Sequence, residues 1–212
     1  MVSDDACEGH HHVTVSYDRD DRRVVMDIAI DGPGPEDPVS DVLQLCRFFR
    51  TRSQSGARLL LRGTEREVEW LNVECGVVDG IPVRCRVFSL PHDDPALREA
   101  LLQRSDAAIF VCDLDAHPVG ELAARARQFA QHAQLAGSPP VVLRVRCDPL
   151  SMAQLDTVQA LQDMLANDID AVAPELRETM MLAVGLGLRH APGLLEKAAR
   201  DLARDDKIVD DC

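Results

Sequence analysis

The chain has 212 residues, which is enough for one ordinary domain with a sizeable core. Hydrophobic residues make up 46% and charged residues 28%, a composition typical of globular proteins and not of disordered or fibrous ones. The net charge of -13 argues against a general binder of nucleic acids or anionic membrane surfaces.

The N-terminal part predicts two strands, a loop and a helix. Apolar and polar residues alternate over 12–17, and β-branched residues dominate 23–30, so both segments predict strands. Residues 31–38 contain three prolines and two glycines and predict a loop. Apolar residues recur at helical spacing over 39–50, which predicts a helix, and the polar segment 51–57 predicts another loop.

The middle of the chain predicts a β-hairpin followed by alternating helices and strands. Strands are expected at 67–77 and 81–90, because the Asp79-Gly80 pair between them is a strong hairpin signal. Pro95 is expected to begin a helix. The remaining strands are predicted at 107–112, 141–145 and 180–184, and the remaining helices at 117–136, at 155–165 behind a Ser151 cap, and at 194–202.

This alternation predicts a single α/β domain over 12–204. We expect three layers, with a mostly parallel sheet, one antiparallel edge hairpin and helices on both faces. Residues 1–11 and 205–212 are predicted to be acidic tails, and the acidic, polar start of the chain predicts no signal peptide. No apolar run approaches the length of a membrane span, so we expect a cytoplasmic protein.

The loop at 32–40 lies where a phosphate-binding loop would be expected, after the first long strand. The positions of the usual Gly-Lys-Ser/Thr are occupied by Asp37, Pro38 and Val39. The missing lysine removes a charge-assisted contact of about 1.5–3 kcal/mol. A carboxylate such as that of Glu36, about 6 Å from a phosphate charge, costs roughly 3 kcal/mol at an effective dielectric of about 20. The sequence therefore predicts that this loop binds no triphosphate in the usual way.

Several segments occur in an order that is informative as a set. They are the strand pair over 13–30, the Gly32-Pro33-Gly34 opening, the paired strands of 67–91, the strand that ends in Asp113, and Val145 to Asp148. In order and spacing, residues 13–204 resemble a small Ras-like GTPase of the bacterial gliding-motility (MglA) type. The resemblance implies a P-loop/Ras-like fold.

The resemblance also identifies positions that depart from the family. The phosphate-loop lysine position is Pro38, the position of the magnesium-binding hydroxyl is Val39, and the switch glycine position is His92. In the guanine-reading box, Val145 replaces the asparagine, and Asp148 is retained. We therefore predict a pseudo-GTPase, without catalytic residues, cofactor or metal. Its vestigial nucleotide-site positions are Gly32, Gly34, Asp37, Pro38, Val39, Ser40, His92, Asp113, Val145 and Asp148.

For such a protein the resemblance implies a role in protein–protein interaction, because the family binds roadblock-type dimers through its switch face. In this chain that face would comprise 51–66, the strand 67–77 and residues 91–104. We predict a roadblock-type regulator or an active Mgl-type GTPase as partner, and homo- or hetero-oligomer formation through 67–77 as an exposed edge strand. The candidate partner-binding residues are Arg62, Arg66, Trp70 and His92.

Two alternatives stay open. One is a weak or atypical GTPase that still binds guanine nucleotide. The other follows from Asp113-Leu114-Asp115, an Asp-x-Asp pattern after a buried strand, as in haloacid-dehalogenase-like phosphatases. There Asp113 would be the nucleophile, Asp115 the acid/base and Mg²⁺ the cofactor. Otherwise Asp113 is a strand-end residue and Asp115 caps the next helix.

The histidine and cysteine residues predict no metal site. His10, His11 and His12 are adjacent, so they cannot all face one ion, and we expect a solvated tail. The seven cysteines contain no C-x-x-C pair, which predicts free thiols in a reducing compartment. Cys212 lacks a prenylation box and is expected to be a free terminal thiol.

Overall fold

A computed structural model describes residues 16–18, 21–34, 52–61, 64–147, 151–191, 193 and 195–201. The strands are β1 (Ser16–Asp18), β2 (Arg23–Asp31), β3 (Arg52–Leu61), β4 (Thr64–Val78), β5 (Ile81–Ser89), β6 (Ala107–Asp113), β7 (Val141–Arg146) and β8 (Ala171–Ala173). The helices are α1 (Pro95–Arg104), α2 (Val119–Ala136), α3 (Met152–Leu165) and α4 (Leu176–His190), and residues 195–201 are also helical. Among these described helices, none combines the length and apolar character that crossing a membrane requires.

The eight strands form one sheet in the order β3-β4-β5-β2-β6-β7-β8, and β1 pairs with the N-terminal end of β2. The pairs from β5 through β2, β6 and β7 to β8 are parallel, whereas β3, β4 and β5 pair antiparallel. Strands β3, β4 and β5 lie on one side of β2, and β6, β7 and β8 lie on the other. The carboxyl ends of β2 and β6 therefore flank the crevice in which open α/β sheets bind ligands.

Helices cover both faces of this sheet. Alternate residues of β2 point to opposite faces, so Met26, Ile28 and Ile30 pack in the core beneath α4. Ala29 packs on the other face, in a second core that contains the buried leucines and phenylalanine of α1, α2 and α3. The predicted three-layer α/β architecture is confirmed.

The locally encoded elements are confirmed as well. Asp79 and Gly80 have φ angles of 50° and 82°, as a two-residue type I′ hairpin turn requires. Pro95 is the first residue of α1, and the Asp94 carboxylate accepts a hydrogen bond from the Leu97 amide, capping the helix. Ser151 caps α3 in the same manner through the Gln154 amide.

Two of the predicted secondary-structure assignments are wrong. The segment 51–57 was expected to be a loop, but Arg52–Leu61 is a strand that pairs with β4. Consequently 67–77 is not an edge strand, and β3 is the outermost strand on that side of the described sheet. The polar residues of β3 give no alternating apolar pattern from which a strand could be predicted. The strand forms because its backbone pairs with that of β4.

The second error concerns 180–184, which lies inside α4 and is not a strand. A short apolar run has the same composition in a buried helix as in a buried strand, so periodicity alone did not separate them. The structure places the last strand earlier, at Ala171–Ala173. The helix predicted at 39–50, most of the strand at 12–17, and the tails at 1–11 and 205–212 lie outside the described residues.

Candidate functional site

The carboxyl end of β2 carries a buried ion pair. Asp31 is the last residue of β2 and its exposed fraction is 0%. Arg98 of α1 donates from Nη1 to Asp31 Oδ1 at 3.1 Å and from Nη2 to Oδ2. The Nε2 atom of His92 lies 3.5 Å from Asp31 Oδ1. Both carboxylate oxygens are therefore paired with a guanidinium, which is what a buried charge needs.

The loop that follows β2 is held by a second arginine. Arg125 of α2 donates from Nη1 to the Pro33 carbonyl oxygen at 2.5 Å and from Nη2 to Glu121 Oε1 at 2.6 Å. Gly32 is buried and Gly34 half-buried in this loop. Because α2 follows β6, the hydrogen bond from Arg125 to the Pro33 carbonyl oxygen links the β6 side of the crevice to the loop after β2.

Asp113, at the end of β6, is engaged in local contacts. Its Oδ1 accepts hydrogen bonds from the amides of Asp115 at 2.9 Å and Ala116 at 3.3 Å. Arg146 Nη1 is 3.7 Å from the other carboxylate oxygen, Oδ2. The side chain of Asp115 is exposed and accepts a hydrogen bond from Gln154 Nε2 at 2.7 Å. These contacts make Asp113 the cap of the turn after β6, and they place Asp115 against α3. The expectation that Asp115 caps the next helix is wrong, because the N-cap of α2 is Pro118 and no side chain caps that helix.

Val145, which the resemblance assigns to the guanine-reading position, is part of the core. Val145 has an exposed fraction of 0% and packs in the cluster that contains Phe129 and Leu161, so its side chain does not face the crevice. The other predicted positions at this site, and one predicted partner contact, lie outside the described residues: Asp37, Pro38, Val39, Ser40, Asp148 and Arg62.

The predicted partner-binding residues that the structure describes have internal contacts. Arg66 Nε donates to Asp94 Oδ2 at 2.5 Å and so supports the start of α1. The hydrogen bond from the Leu97 amide, together with Arg66, holds the pKa of Asp94 below its usual range. Trp70 is half-buried, and its Nε1 donates to Asn72 Oδ1 at 3.1 Å.

Trp70 also borders a cavity of about 170 Å³ on the α1 side of the sheet. Arg86 lies 5.8 Å from the centroid of the Trp70 ring, a cation–π distance. The same guanidinium pairs with both oxygens of Asp27, the Nη2–Oδ2 distance being 2.9 Å. Burial raises the pKa of Asp27, although Arg86 and Arg104 act in the opposite direction. The cavity is lined by Asp27, Val68, Trp70, Arg86, Phe88, Leu101 and Arg104.

Sequence reasoning missed the charged residues that organise the carboxyl end of β2 and the cavity beside Trp70. Asp27 interrupts an apolar strand, and Asp31 lies four residues later on the same face of β2. An acidic residue inside a buried strand is a signal that a cationic partner lies nearby. Nothing in the sequence identifies Arg86 or Arg98 as those partners.

No protein-family model matches this chain, and no curated protein matches it either. Within the described residues, no three histidine, cysteine, aspartate or glutamate side chains are grouped so that they could hold a metal ion.

Proposed function

We propose that this protein is a small-GTPase-like interaction module that works without bound nucleotide, in the cytoplasm, as part of a bacterial small-GTPase system of the polarity or motility type. The observation that carries the proposal is the buried Asp31–Arg98 pair at the carboxyl end of β2. A carboxylate there opposes phosphate binding at the crevice where a nucleotide would have to lie.

Two arginines at the described part of the crevice are already engaged by the protein. Arg98 donates to both oxygens of Asp31, and Arg125 donates to Pro33 and Glu121. A phosphate would have to compete with these oxygens for the same N–H groups. Releasing Arg98 to a phosphate would leave the Asp31 charge buried and unpaired, which costs several kcal/mol, about 3–5 for a buried pair.

The surface available for a protein partner includes β3. It pairs with β4 on one side, and among the described strands none pairs with its other side. An outer strand of this kind can accept a further strand from a partner. We propose a roadblock-type regulator or an active Mgl-type GTPase as that partner, with Arg66, Trp70 and His92 bordering the contact.

The nucleotide part is tested by thermal unfolding with GTP, GDP or ATP in the presence of Mg²⁺. We expect an unchanged melting temperature, with an active Mgl-type GTPase as the positive control. A ligand at about 100 times its dissociation constant stabilises by about 2.7 kcal/mol, an effect this assay resolves. A rise with guanine nucleotides would contradict the proposal and support the weak-GTPase alternative.

The partner contact is tested by titrating the purified chain with a roadblock-type protein. Arg66→Glu should weaken the complex about tenfold, which corresponds to about 1.4 kcal/mol. Arg127→Glu is the matched control, because Arg127 is similarly exposed and ion-paired, at 3.0 Å to Asp168, but lies on α2. Equal effects of both substitutions, or no complex at all, would refute the assigned surface.

The phosphatase alternative is not favoured by the contacts of Asp113, since its Oδ1 caps a turn. A generic phosphatase assay with Mg²⁺ decides it directly. Activity that disappears in Asp113→Asn would establish the alternative and overturn the proposed function.

A further inference from the structure

Two thiols meet across the β4–β5 hairpin. The Sγ atoms of Cys75 and Cys85 are 3.2 Å apart, close enough for a hydrogen bond between the two thiols, and Cys75 Sγ also lies 3.7 Å from the Val73 carbonyl oxygen. Cys85 has an exposed fraction of 0%, whereas Cys75 is half-buried. The pair therefore combines a half-buried cysteine with a fully buried one.

A β-bulge produces this approach. Glu74 pairs with Arg84, but the next pair is Gly76 with Val83, so Cys75 is the extra residue of β4. In an unbulged ladder Cys75 would be opposite Val83, and the bulge displaces it toward Cys85. Gly76 has a φ of 99°, a left-handed conformation that favours glycine and maintains the bulge.

We propose that Cys75 and Cys85 form a redox-active dithiol that a peroxide converts into a cross-strand disulfide. The sulfur atoms have only to close from 3.2 Å to the bond length of about 2.05 Å. This inference does not depend on the proposed interaction function.

The reaction has two balanced steps. The Cys75 thiolate attacks one peroxide oxygen, the O–O bond breaks, and Cys75 becomes a sulfenic acid while the other oxygen leaves as water or alcohol. The Cys85 sulfur then attacks the Cys75 sulfur, an S–S bond forms, and the sulfenic hydroxyl leaves as water with the Cys85 proton. Two thiols lose two electrons and two protons, and the peroxide takes them up.

The order of the steps follows from the surroundings of each thiol. The hydrogen-bonding contact with the Cys75 sulfur, together with burial, raises the pKa of Cys85, so Cys85 stays protonated at neutral pH. The half-buried Cys75 is the sulfur that a peroxide can reach first. A dithiol reductant, acting on the disulfide from the Cys75 side, restores both thiols.

The test treats the reduced full-length protein with hydrogen peroxide, alkylates the remaining thiols and maps peptides without reduction. We expect a Cys75–Cys85 disulfide to form about tenfold faster than any product of Cys147, a half-buried thiol at the end of β7 that serves as internal control. In Cys85→Ser, Cys75 should stop at the sulfenic acid, which dimedone traps.

Three results would overturn the proposal, and the first two need no variant. One is a wild-type map in which Cys75 is driven to the sulfinic acid while Cys85 stays alkylatable. The second is a map in which neither thiol reacts before Cys147. The third is dimedone labelling of Cys85 in a folded Cys75→Ser protein at the rate at which Cys75 is labelled in Cys85→Ser.

Discussion

Replacing Arg98 by alanine tests the ion pair on which the proposed function depends. The substitution leaves Asp31, whose side chain is 1% exposed, without its guanidinium. Removing one partner of a buried pair costs about 3–5 kcal/mol. Because Arg98 itself is 24% exposed and water can reach the vacated side, we expect the lower end of this range, about 3 kcal/mol.

Arg127→Ala is the control, since the Arg127–Asp168 pair is 41% and 29% exposed and should contribute about 0–1 kcal/mol. Urea unfolding followed by circular dichroism and by the fluorescence of Trp70, the single tryptophan, measures both variants. Adding Asp31→Ala to Arg98→Ala should recover part of the loss, because the buried charge is then gone.

Equal destabilisation by the two single substitutions would refute the reasoning. It would mean that water solvates Asp31 and that the carboxyl end of β2 is open to a hydrated ligand. The structural support for a site closed to phosphate would then be lost.

Four further substitutions test the fold and its charges. Gly187→Ala should cost about 1–3 kcal/mol, because the new Cβ would lie 2.9 Å from the Asp106 carbonyl oxygen, whereas Gly185→Ala on the open side of α4 should stabilise by about 0.5–1 kcal/mol. Stabilisation by both would show that α4 does not pack against the sheet there. The pKa of Asp94 is lowered in the folded state, so its contribution to stability is present above the ordinary value of 3.8 and is lost as pH falls below it. Asp94→Asn should therefore flatten the loss of stability measured in urea between about pH 5 and about pH 3, and an unchanged slope would contradict the assigned cap. Phe129→Ala should cost about 3–5 kcal/mol in the same assay, and a loss below about 1 kcal/mol would place this ring outside the core.

Much of the fold was predictable because it is encoded over short distances. The Asp79-Gly80 turn, the apolar strand at 107–112 and the amphipathic helix α2 each depend on neighbours in sequence. β3 was missed because its strand character depends on pairing with β4. The run 180–184 was misassigned because helix or strand there is decided by what packs around it.

The candidate site was predictable only in position. The carboxyl end of β2 follows from the topology of alternating strands and helices. The partners of the charged residues on β2 could not be predicted from the topology. Asp31 and Arg98 are separated by 67 positions in the chain, and Asp27 and Arg86 by 59. The same holds for the thiol pair, because the contact between Cys75 and Cys85 depends on strand pairing and on the bulge at Cys75.

Composition and periodicity alone thus specified an acidic α/β domain, its central hairpin and the end of the sheet where a ligand would have to lie. Folding decided which arginine neutralises which aspartate, which strand lies outermost and which cysteines meet. The reason is physical: helix and turn preferences act between near neighbours, whereas ion pairs, strand pairing and thiol proximity require chain segments that only the packed core brings together.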